Sequence, residues 1–192
     1  MGSQAAAHFA HLRRLAFTKE VQQMAFTFVK YGSAVYCFRT YVMALTACTG
    51  PSMFPTLNSR GDTPLLPFSL PFFNIKGDLI LLEHFSVFAK IIKVGDVVTA
   101  YSVQNPRHIV CKRVLGLEGD TIKVPWSSTN GPARTVKVPA GHVWLQGDNT
   151  LNSTDSRHYG PVPYTLVNGK AFLKIWPLKE AGWVSSHVPA LL

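Results

Sequence analysis

The 192-residue sequence predicts a mainly β, antiparallel domain preceded by an N-terminal helix, and three observations support this prediction. Short apolar segments alternate with Gly, Pro, Asn and Asp after residue 50, as expected for strands joined by turns. Residues 31–50 form one long apolar stretch. The composition is 47% hydrophobic and 15% charged, which excludes disordered, collagen-like and coiled-coil chains. We therefore expect a mainly antiparallel β barrel or sandwich with an N-terminal anchor helix.

The first 50 residues predict a targeting segment followed by the anchor helix. Residues 1–30 contain four basic side chains and a single acid, Glu20, which is typical of import presequences. Residues 31–50 have the length of about 20 residues that a helix needs to cross a bilayer. Arg39 lies near their middle and would cost about 2.5–3.5 kcal/mol on insertion. We favour a helix in contact with membrane lipid, and a buried or interfacial helix is the alternative.

The net charge of +9 does not predict a nucleic-acid partner. Residues 1–50 carry five cations against one acid, whereas residues 51–192 carry fourteen cations against nine acids. These cations are scattered, and nowhere do three follow one another. Nucleic-acid binding domains usually cluster Lys and Arg on one face, so we expect no nucleic-acid partner.

Residues 51–177 are predicted to form the β domain, and residues 178–192 a C-terminal tail without a clear signal. Gly-Asp pairs, which favour tight turns, occur at 77–78, 95–96, 119–120 and 147–148. The predicted strands are Asp78–Glu83, Asp96–Ser102, His108–Leu115, Thr121–Val124, Thr135–Val138, His142–Gln146 and Ala171–Trp176.

Ser52 is the candidate nucleophile, because it lies between Pro51 and Pro55 directly after the predicted helix. The two prolines restrict the backbone, and Gly50 permits close approach by another chain. A serine hydroxyl also needs a base to become nucleophilic. Without such a base, Ser52 would be an ordinary turn serine.

Lys112 is the candidate base. In the strand Ile109–Leu115, Lys112 shares a face with Val110 and Val114. Burial on that face would lower the pKa of the amine from about 10.4, and a fall of roughly 2.5–3.5 units would make it a base near pH 7–8. The alternative is a lysine whose stem packs while its amine reaches water.

A third feature is the polar segment from Gly147 to Pro161, which is dense in hydroxyl and turn-forming residues. Asp155 and Arg157 are two residues apart, so they share a side of an extended chain. Ser153 is placed to offer its hydroxyl to a buried lysine amine. The alternative interpretation is an ordinary polar loop.

Other catalytic chemistries have less support in the sequence. No serine lies in a Gly-x-Ser-x-Gly context, and no His-Glu-x-x-His motif is present. Cys37, Cys48 and Cys111 lack the spacing of metal ligands and are interpreted as apolar packing residues. We expect neither a metal nor a cofactor.

Together these segments resemble the type I signal peptidase family of membrane-bound Ser–Lys endopeptidases. The matching motifs, in family order, are SMFPTL from Ser52, KRVLGLEGD from Lys112 and GDNTLNSTDSR from Gly147. The resemblance runs from Gly50 to about Pro177, and it is stronger to members of the mitochondrial inner membrane than to bacterial members. It implies a signal-peptidase-like coiled β-sheet.

The resemblance also implies roles for individual residues. Ser52 would attack the substrate carbonyl, neutral Lys112 would take its proton, and Ser153 would orient the lysine amine. An ion pair of Asp155 with Arg157 would support Ser153. The turn that brings this loop to the dyad would be shaped by Gly147, Asp148 and Asn149. The substrate cleft would be lined by Met53, Pro55, Val110 and Cys111.

The sequence departs from the family pattern in two places. Many bacterial relatives carry a hydroxyl residue two places before the nucleophile as a second oxyanion donor, and this chain has Gly50 there. A second Gly-Asp pair at 77–78 predicts that residues 62–77 are an inserted irregular loop.

The resemblance implies a membrane-bound serine endopeptidase that removes hydrophobic sorting presequences. Its substrates would be precursor proteins delivered to the mitochondrial intermembrane space, and its catalytic domain would face that space from the inner membrane. A second catalytic subunit would complete a heterodimer. The alternatives are a non-catalytic or partner-dependent subunit of the same protease and a bacterial-type signal peptidase.

Overall fold

The chain begins with one long helix, α1, which spans Gly2–Tyr41. The computed structural model describes residues 2–58, 77–125 and 132–188, with side chains described from residue 17. In these ranges no helix combines the length and the apolar character needed to cross a membrane. The predicted insertion at 62–77 lies outside the described residues except for Gly77. Residues 42–192 form a second compact unit, separate from α1.

The prediction of a helix over residues 31–50 is wrong at its C-terminal end. The helix ends at Tyr41, and Met43–Cys48 form strand β1 instead. This strand pairs antiparallel with β2, Asp78–Glu83, over all six residues from Met43 opposite Glu83 to Cys48 opposite Asp78. A short apolar segment fits either helix or strand by pattern alone, and here the ladder with β2 decides. The β domain therefore starts at about residue 42, not at residue 51.

The mainly β, antiparallel fold class is confirmed, and each of the seven predicted strands is present within a few residues of its expected bounds. Two short helices, α2 and α3, lie between strands. After β2 the elements are α2 Phe85–Phe88, β3 Val97–Tyr101, β4 Ile109–Gly116, β5 Thr121–Val124, β6 Arg134–Lys137, β7 His142–Gln146, α3 Ser156–Tyr159, β8 Val162–Pro163, β9 Val167–Trp176 and β10 Gly182–Trp183.

Eight of the strands form one sheet in the order β1-β2-β9-β3-β4-β7-β8, with β10 added beside β9. The pairings are antiparallel, and β5 and β6 form a separate hairpin. Register shifts interrupt the β2–β9, β3–β9 and β4–β7 ladders. Such irregularities bend strands and increase their twist, which accounts for the curled, half-barrel form of the sheet.

Residues 178–188 belong to the β domain, so the prediction of a separate tail from residue 178 is wrong over this range. Strand β10 pairs with β9, with Gly182 opposite Lys174 and Trp183 opposite Leu173. The Ser185 carbonyl accepts a hydrogen bond from Arg113 at 2.7 Å. Strand β10 was not predicted because two residues are too few to show a periodicity. The strand is defined only by its pairing with β9.

Two apolar clusters inside the sheet position the predicted catalytic segments. One contains Met53 and Leu57 together with residues of β1, β2, β3 and β9, so it holds the segment that follows β1. The other contains Val114 of β4 and residues of β3, β7 and β8. The segments that carry Ser52 and Lys112 therefore both rest on buried apolar side chains, which fixes their backbones.

Candidate active site

Ser52 lies in a single 3₁₀ turn, Pro51–Met53, immediately after β1. The turn is closed by a hydrogen bond from the Phe54 amide to the Pro51 carbonyl at 3.1 Å. Gly50, which precedes it, has a φ of +86°, a conformation that L-residues with a side chain rarely adopt. Ser52 itself is half-buried. The sequence thus turns sharply at this serine and leaves it accessible.

Met53 does not line an open cleft, so that prediction is wrong. Its side chain is 1% exposed and packs with Cys48, Leu57 and Ile80. An apolar residue next to Ser52 on a sharp turn points away from solvent and ties the turn to the core. Pro55 is exposed and Val110 is half-buried, so their place in a substrate cleft stays a prediction.

A polar network supports the same segment from β2 and β9. The Asn58 side chain donates to the Gly50 carbonyl at 3.0 Å, and the Asn58 amide donates to Asp78 at 2.6 Å. Asp78 is in turn paired with Lys174 at 2.7 Å. The chain between Gly50 and Asn58 is therefore closed into a loop whose two ends are held together.

Lys112 lies on β4 and is 3% exposed. Its Nζ donates a hydrogen bond to Ser153 Oγ at 3.0 Å. Burial lowers the pKa of the Lys112 amine, and the nearby positive charge of Arg157 lowers it further, whereas the charge of Asp155 opposes this shift. The structure confirms that Lys112 is buried and that its amine contacts Ser153, as the sequence predicted.

Asp155 and Arg157 form the expected ion pair behind Ser153. The Ser153 hydroxyl donates to Asp155 Oδ2 at 2.7 Å, and Arg157 donates to both carboxylate oxygens at 2.8 and 2.9 Å. Burial alone would raise the pKa of Asp155, but the bonds from Arg157, the Gly147 amide and Ser153 together hold this pKa below its ordinary value. Asp155 therefore stays ionised and fixes the direction of the Ser153 hydroxyl.

Gly147 lies where the nucleophile segment and this loop meet. A Cβ at Gly147 would overlap with the Ser52 carbonyl oxygen and with Ser153 Oγ. Its φ is not positive, unlike those of Gly77, Gly95 and Gly119 in the other Gly-Asp pairs. This glycine is therefore required by close packing and not by turn geometry.

Asn149 connects the turn after β7 directly to the nucleophile. Its backbone amide donates to the Ser52 carbonyl at 3.0 Å, and its side-chain amide donates to the Pro51 carbonyl at 3.1 Å. The expectation that this turn brings the loop to the predicted dyad agrees with these contacts.

Arg113 is a site residue that the sequence reasoning did not single out. It donates to both oxygens of Asp148 at 2.8 and 2.7 Å and to the Gly95 carbonyl at 2.6 Å. Thr56, four residues after Ser52, donates to the same carboxylate at 2.5 Å. The sequence does contain a feature that points to Arg113, because it is adjacent to Lys112 on one strand. When Lys112 lies on one face of the sheet, Arg113 lies on the other.

Cys48 and Cys111 are neighbours in space. Their thiols share a side-chain hydrogen bond, which lowers the pKa of Cys48 and, together with burial, raises that of Cys111 well above its ordinary value. Both side chains pack in the apolar cluster that contains Met53. The interpretation of these two cysteines as packing residues agrees with this position. For Cys37 that interpretation is wrong, because Cys37 is exposed on α1.

The two halves of the predicted dyad come from different parts of the chain and contact the same loop, Ser52 through Asn149 and Lys112 through Ser153. In the described ranges no direct hydrogen bond joins Ser52 Oγ to Lys112 Nζ, whose acceptor is Ser153. Catalytic hydrogen bonds are often long before substrate binds. Across those ranges, no cluster of three or more His, Cys, Asp or Glu side chains is arranged to hold a metal ion.

The family model for signal peptidase, peptidase S26, matches residues 21–130 and 125–176. The chain belongs to this family. Relatives at high similarity include "Mitochondrial ATP-independent inner membrane protease subunit 1a" of Arabidopsis thaliana, which is 46% identical over 74% of this chain and 76% of its own length. "Mitochondrial inner membrane protease subunit 1" of Homo sapiens is 41% identical over 81% and 83%. "Mitochondrial inner membrane protease subunit 2" of Danio rerio is 36% identical over 73% and 68%.

Membership of this family implies that the chain is a peptidase. The resemblance stated from the motifs is confirmed. Identity to the two subunit 1 relatives named above, 46% and 41%, exceeds the 36% identity to the subunit 2 relative.

Proposed function

We propose that this chain is a serine endopeptidase of the mitochondrial inner membrane that removes hydrophobic sorting presequences from precursor proteins. The observation that carries the proposal is the state of Lys112. Its amine is buried, has a lowered pKa, and is directed by a Ser153 hydroxyl that is itself fixed by Asp155. A lysine that is costly to protonate and precisely oriented is suited to act as a base, and structural lysines are usually charged and exposed.

In the proposed reaction, Ser52 Oγ attacks the carbonyl carbon of the scissile peptide while Lys112 Nζ accepts the serine proton. The carbonyl oxygen becomes an oxyanion, and the Ser52 amide N–H stabilises it. Lys112 then returns the proton to the leaving amine nitrogen, which separates and leaves an acyl-enzyme on Ser52. A water molecule, deprotonated by Lys112, then attacks the acyl carbon. The bond from this carbon to Ser52 Oγ breaks, the second product leaves as a carboxylic acid, and Lys112 returns the proton to Ser52 Oγ.

Several groups around Lys112 each help to keep its amine in the neutral form that a base requires. Burial disfavours the ammonium, and Ser153 offers an acceptor that directs the amine without adding a charge beside it. Asp155 is neutralised by its two-point contact with Arg157, so its pull on the Lys112 proton is reduced. Without Arg157, the carboxylate would raise the pKa of Lys112 and weaken the base.

The proposed substrate is an extended peptide that adds as a strand next to β1 and β4, the strands that lead to Ser52 and carry Lys112. Main-chain hydrogen bonds would supply affinity, and pockets for alternate side chains would supply selectivity. Strand β1 stands at one end of the sheet order, so one of its edges has no partner strand within the described sheet. Pro55, Val110 and Cys111 are the proposed cleft residues.

The relatives named above are inner membrane protease subunits of mitochondria, and we propose the same location here, with the β domain in the intermembrane space. Large apolar side chains of α1 are exposed, including Phe26 at 73% and Phe28 at 81%, which supports contact with lipid. The existence of subunit 1 and subunit 2 relatives supports a heterodimer with a second catalytic subunit.

The test is cleavage of a precursor that carries a hydrophobic sorting signal, with the purified full-length chain in detergent or lipid. We expect Ser52→Ala and Lys112→Arg each to abolish cleavage, because the first removes the nucleophile and the second replaces the base by a guanidinium that stays protonated. Lys123→Arg is the matched control, because Lys123 is exposed on β5.

Each outcome of this assay is informative. Full activity of Ser52→Ala or Lys112→Arg would refute the proposed dyad. Activity that appears only after the second subunit is added, and that survives Ser52→Ala, would identify this chain as a non-catalytic subunit of the protease.

A further inference from the structure

Asn149 is the only described residue that donates hydrogen bonds to both carbonyl groups flanking the Ser52 nitrogen and α-carbon. Its side-chain Nδ2 donates to Pro51 O at 3.1 Å, and its backbone N–H donates to Ser52 O at 3.0 Å. The two bonds come from one residue on the turn after β7 and reach two successive peptide groups of the nucleophile turn.

The bond to Pro51 O determines where the Ser52 N–H points. The cis peptide bonds of the described chain are Phe54–Pro55 and Trp176–Pro177, so the Pro51–Ser52 peptide is trans. In a planar trans peptide the C=O and the N–H point in opposite directions. Pro51 O also accepts the Phe54 amide at 3.1 Å. Two donors on this oxygen fix the rotation of the peptide plane and hence the direction of the Ser52 N–H.

The second bond restrains the other side of the same residue. Because Ser52 O is held by the Asn149 amide, the peptide groups before and after Ser52 are both fixed, and the φ and ψ of Ser52 have little freedom. Gly147 approaches Ser52 O from the same turn. The turn that binds Asp155 through the Gly147 amide, at 2.9 Å, thus also sets the backbone of the nucleophile.

We infer that Asn149 is a positioning residue for the oxyanion donor: it orients the Ser52 N–H toward the site where the tetrahedral oxyanion forms. This inference rests on the proposed function, because it assumes that Ser52 is the nucleophile. Asn149 contacts neither substrate nor reacting atoms in this role. It acts through the Pro51–Ser52 peptide, and it is separate from the Ser153–Asp155 arm that controls Lys112.

The test compares Asn149→Ala with Asn149→Asp in the full-length chain. Asn149→Ala keeps the backbone donor and loses the side-chain donor, whereas Asn149→Asp keeps the size and places a carboxylate oxygen against Pro51 O. Loss of one direct oxyanion donor costs about 10²–10³ in kcat, so we expect an indirect effect of about 10–100-fold for Asn149→Ala and a larger one for Asn149→Asp. KM should change by less than about threefold.

Two further readouts separate orientation from general damage to the fold. The acidic limb of the pH–rate profile should stay in place, because Lys112 and its contacts are untouched. Affinity for a peptide aldehyde, which forms a tetrahedral adduct with a serine, should fall in parallel with kcat. Asn152→Ala is the matched control, since Asn152 is exposed on the same loop, and it should behave like wild type.

Wild-type kcat in Asn149→Ala, or a kcat loss without loss of aldehyde affinity, would overturn this inference. The two proposals fail differently. A Ser52→Ala variant that still cleaves contradicts the proposed nucleophile, whereas an inactive Ser52→Ala together with a fully active Asn149→Ala contradicts the role of Asn149 alone.

Discussion

Arg113 and Asp148 form a two-point ion pair in which neither side chain has any exposed surface. The pair joins β4 to the turn after β7. Thr56, four residues after Ser52, donates a hydrogen bond to Asp148 and so connects the Ser52 segment to the pair. Lys112, the preceding residue on β4, faces the other network, with Ser153 and Asp155. Two adjacent basic residues of one strand thus contact opposite sides of the same site, Arg113 as a permanent charge and Lys112 as the proposed base.

Asp148→Asn should destabilise the β domain strongly. The substitution removes the countercharge of a fully buried guanidinium, and breaking such a pair from one side costs about 3–5 kcal/mol. Urea unfolding followed by tryptophan fluorescence measures the change. Asp120→Asn is the control, because Asp120 also follows a glycine in a Gly-Asp turn but is exposed. Equal stability of the two variants would show that the buried pair contributes little.

Asp155→Asn should move the acidic limb of the pH–rate profile to lower pH and reduce the maximal rate. In the proposed mechanism Lys112 must be neutral to act, so activity is lost as the pH falls through its pKa. The Asp155 charge raises that pKa, while burial and Arg157 lower it. Removing the charge therefore lowers the pKa of Lys112 further. The rate falls because an amide has one acceptor oxygen where the carboxylate has two, so Ser153 and Arg157 cannot both keep their present hydrogen bonds.

The measurement is kcat/KM for a peptide substrate across the pH range in which the enzyme stays folded. Asp96→Asn is the control, since Asp96 is buried and pairs with Lys170 at 2.9 Å, away from the Lys112 amine. A limb that moves to higher pH in Asp155→Asn would contradict the assigned direction.

Gly147→Ala should lose most activity. The added methyl group overlaps with the Ser52 carbonyl and with Ser153 Oγ, so the nucleophile segment and the Lys112 loop must separate. Overpacking costs about 1–3 kcal/mol, and a displacement of about 1 Å at a reacting group lowers the rate by about 10²-fold. Single-turnover cleavage measures the effect. Gly182→Ala, where a Cβ meets no atom within 4 Å, should keep wild-type activity.

A chain that ends at Pro177 should be less stable than the full chain, although residues 178–192 carry no clear signal in the sequence. It loses β10, the Ser185 carbonyl that Arg113 contacts, and Glu180, which pairs with Lys174 at 2.8 Å. An unsatisfied buried donor alone costs about 1–3 kcal/mol. Thermal unfolding compares this chain with one that ends at Val188, which keeps these contacts and should unfold like the full chain.

Much of this architecture is readable from the sequence because its turns are marked by local chemistry. Gly77, Gly95 and Gly119 all have positive φ values, so the Gly-Asp pairs reported the ends of strands correctly. The hydrogen bonds from Lys112 to Ser153 and from Ser153 to Asp155 were also predictable. A buried amine needs an acceptor, and the resemblance to the family implied that Ser153 is that acceptor.

The remaining features depend on partners distant in the sequence. Residues 43–48 are apolar in either conformation, and only pairing with β2 makes them a strand. Arg113 has its role because it pairs with Asp148. In the sequence, Asp148 was accounted for by its Gly-Asp turn, so nothing local pointed to a buried ion pair. Burial of Met53 follows from the direction of the 3₁₀ turn, which the Pro-Ser-Met sequence does not specify.

The position of β9 in the sheet has a consequence for synthesis of the enzyme. Strand β1, which leads into the Ser52 segment, and its neighbour β2 connect to β3 and to β4, which carries Lys112, only through β9 within the described sheet. Residues 167–176 are synthesised after β1, β2, β3 and β4. Contacts of such long sequence separation form slowly, so a chain that still lacks residues 167–176 would contain Ser52 and Lys112 without the strand that connects their parts of the sheet. The order of strands thereby makes assembly of the proposed active site depend on the synthesis of β9.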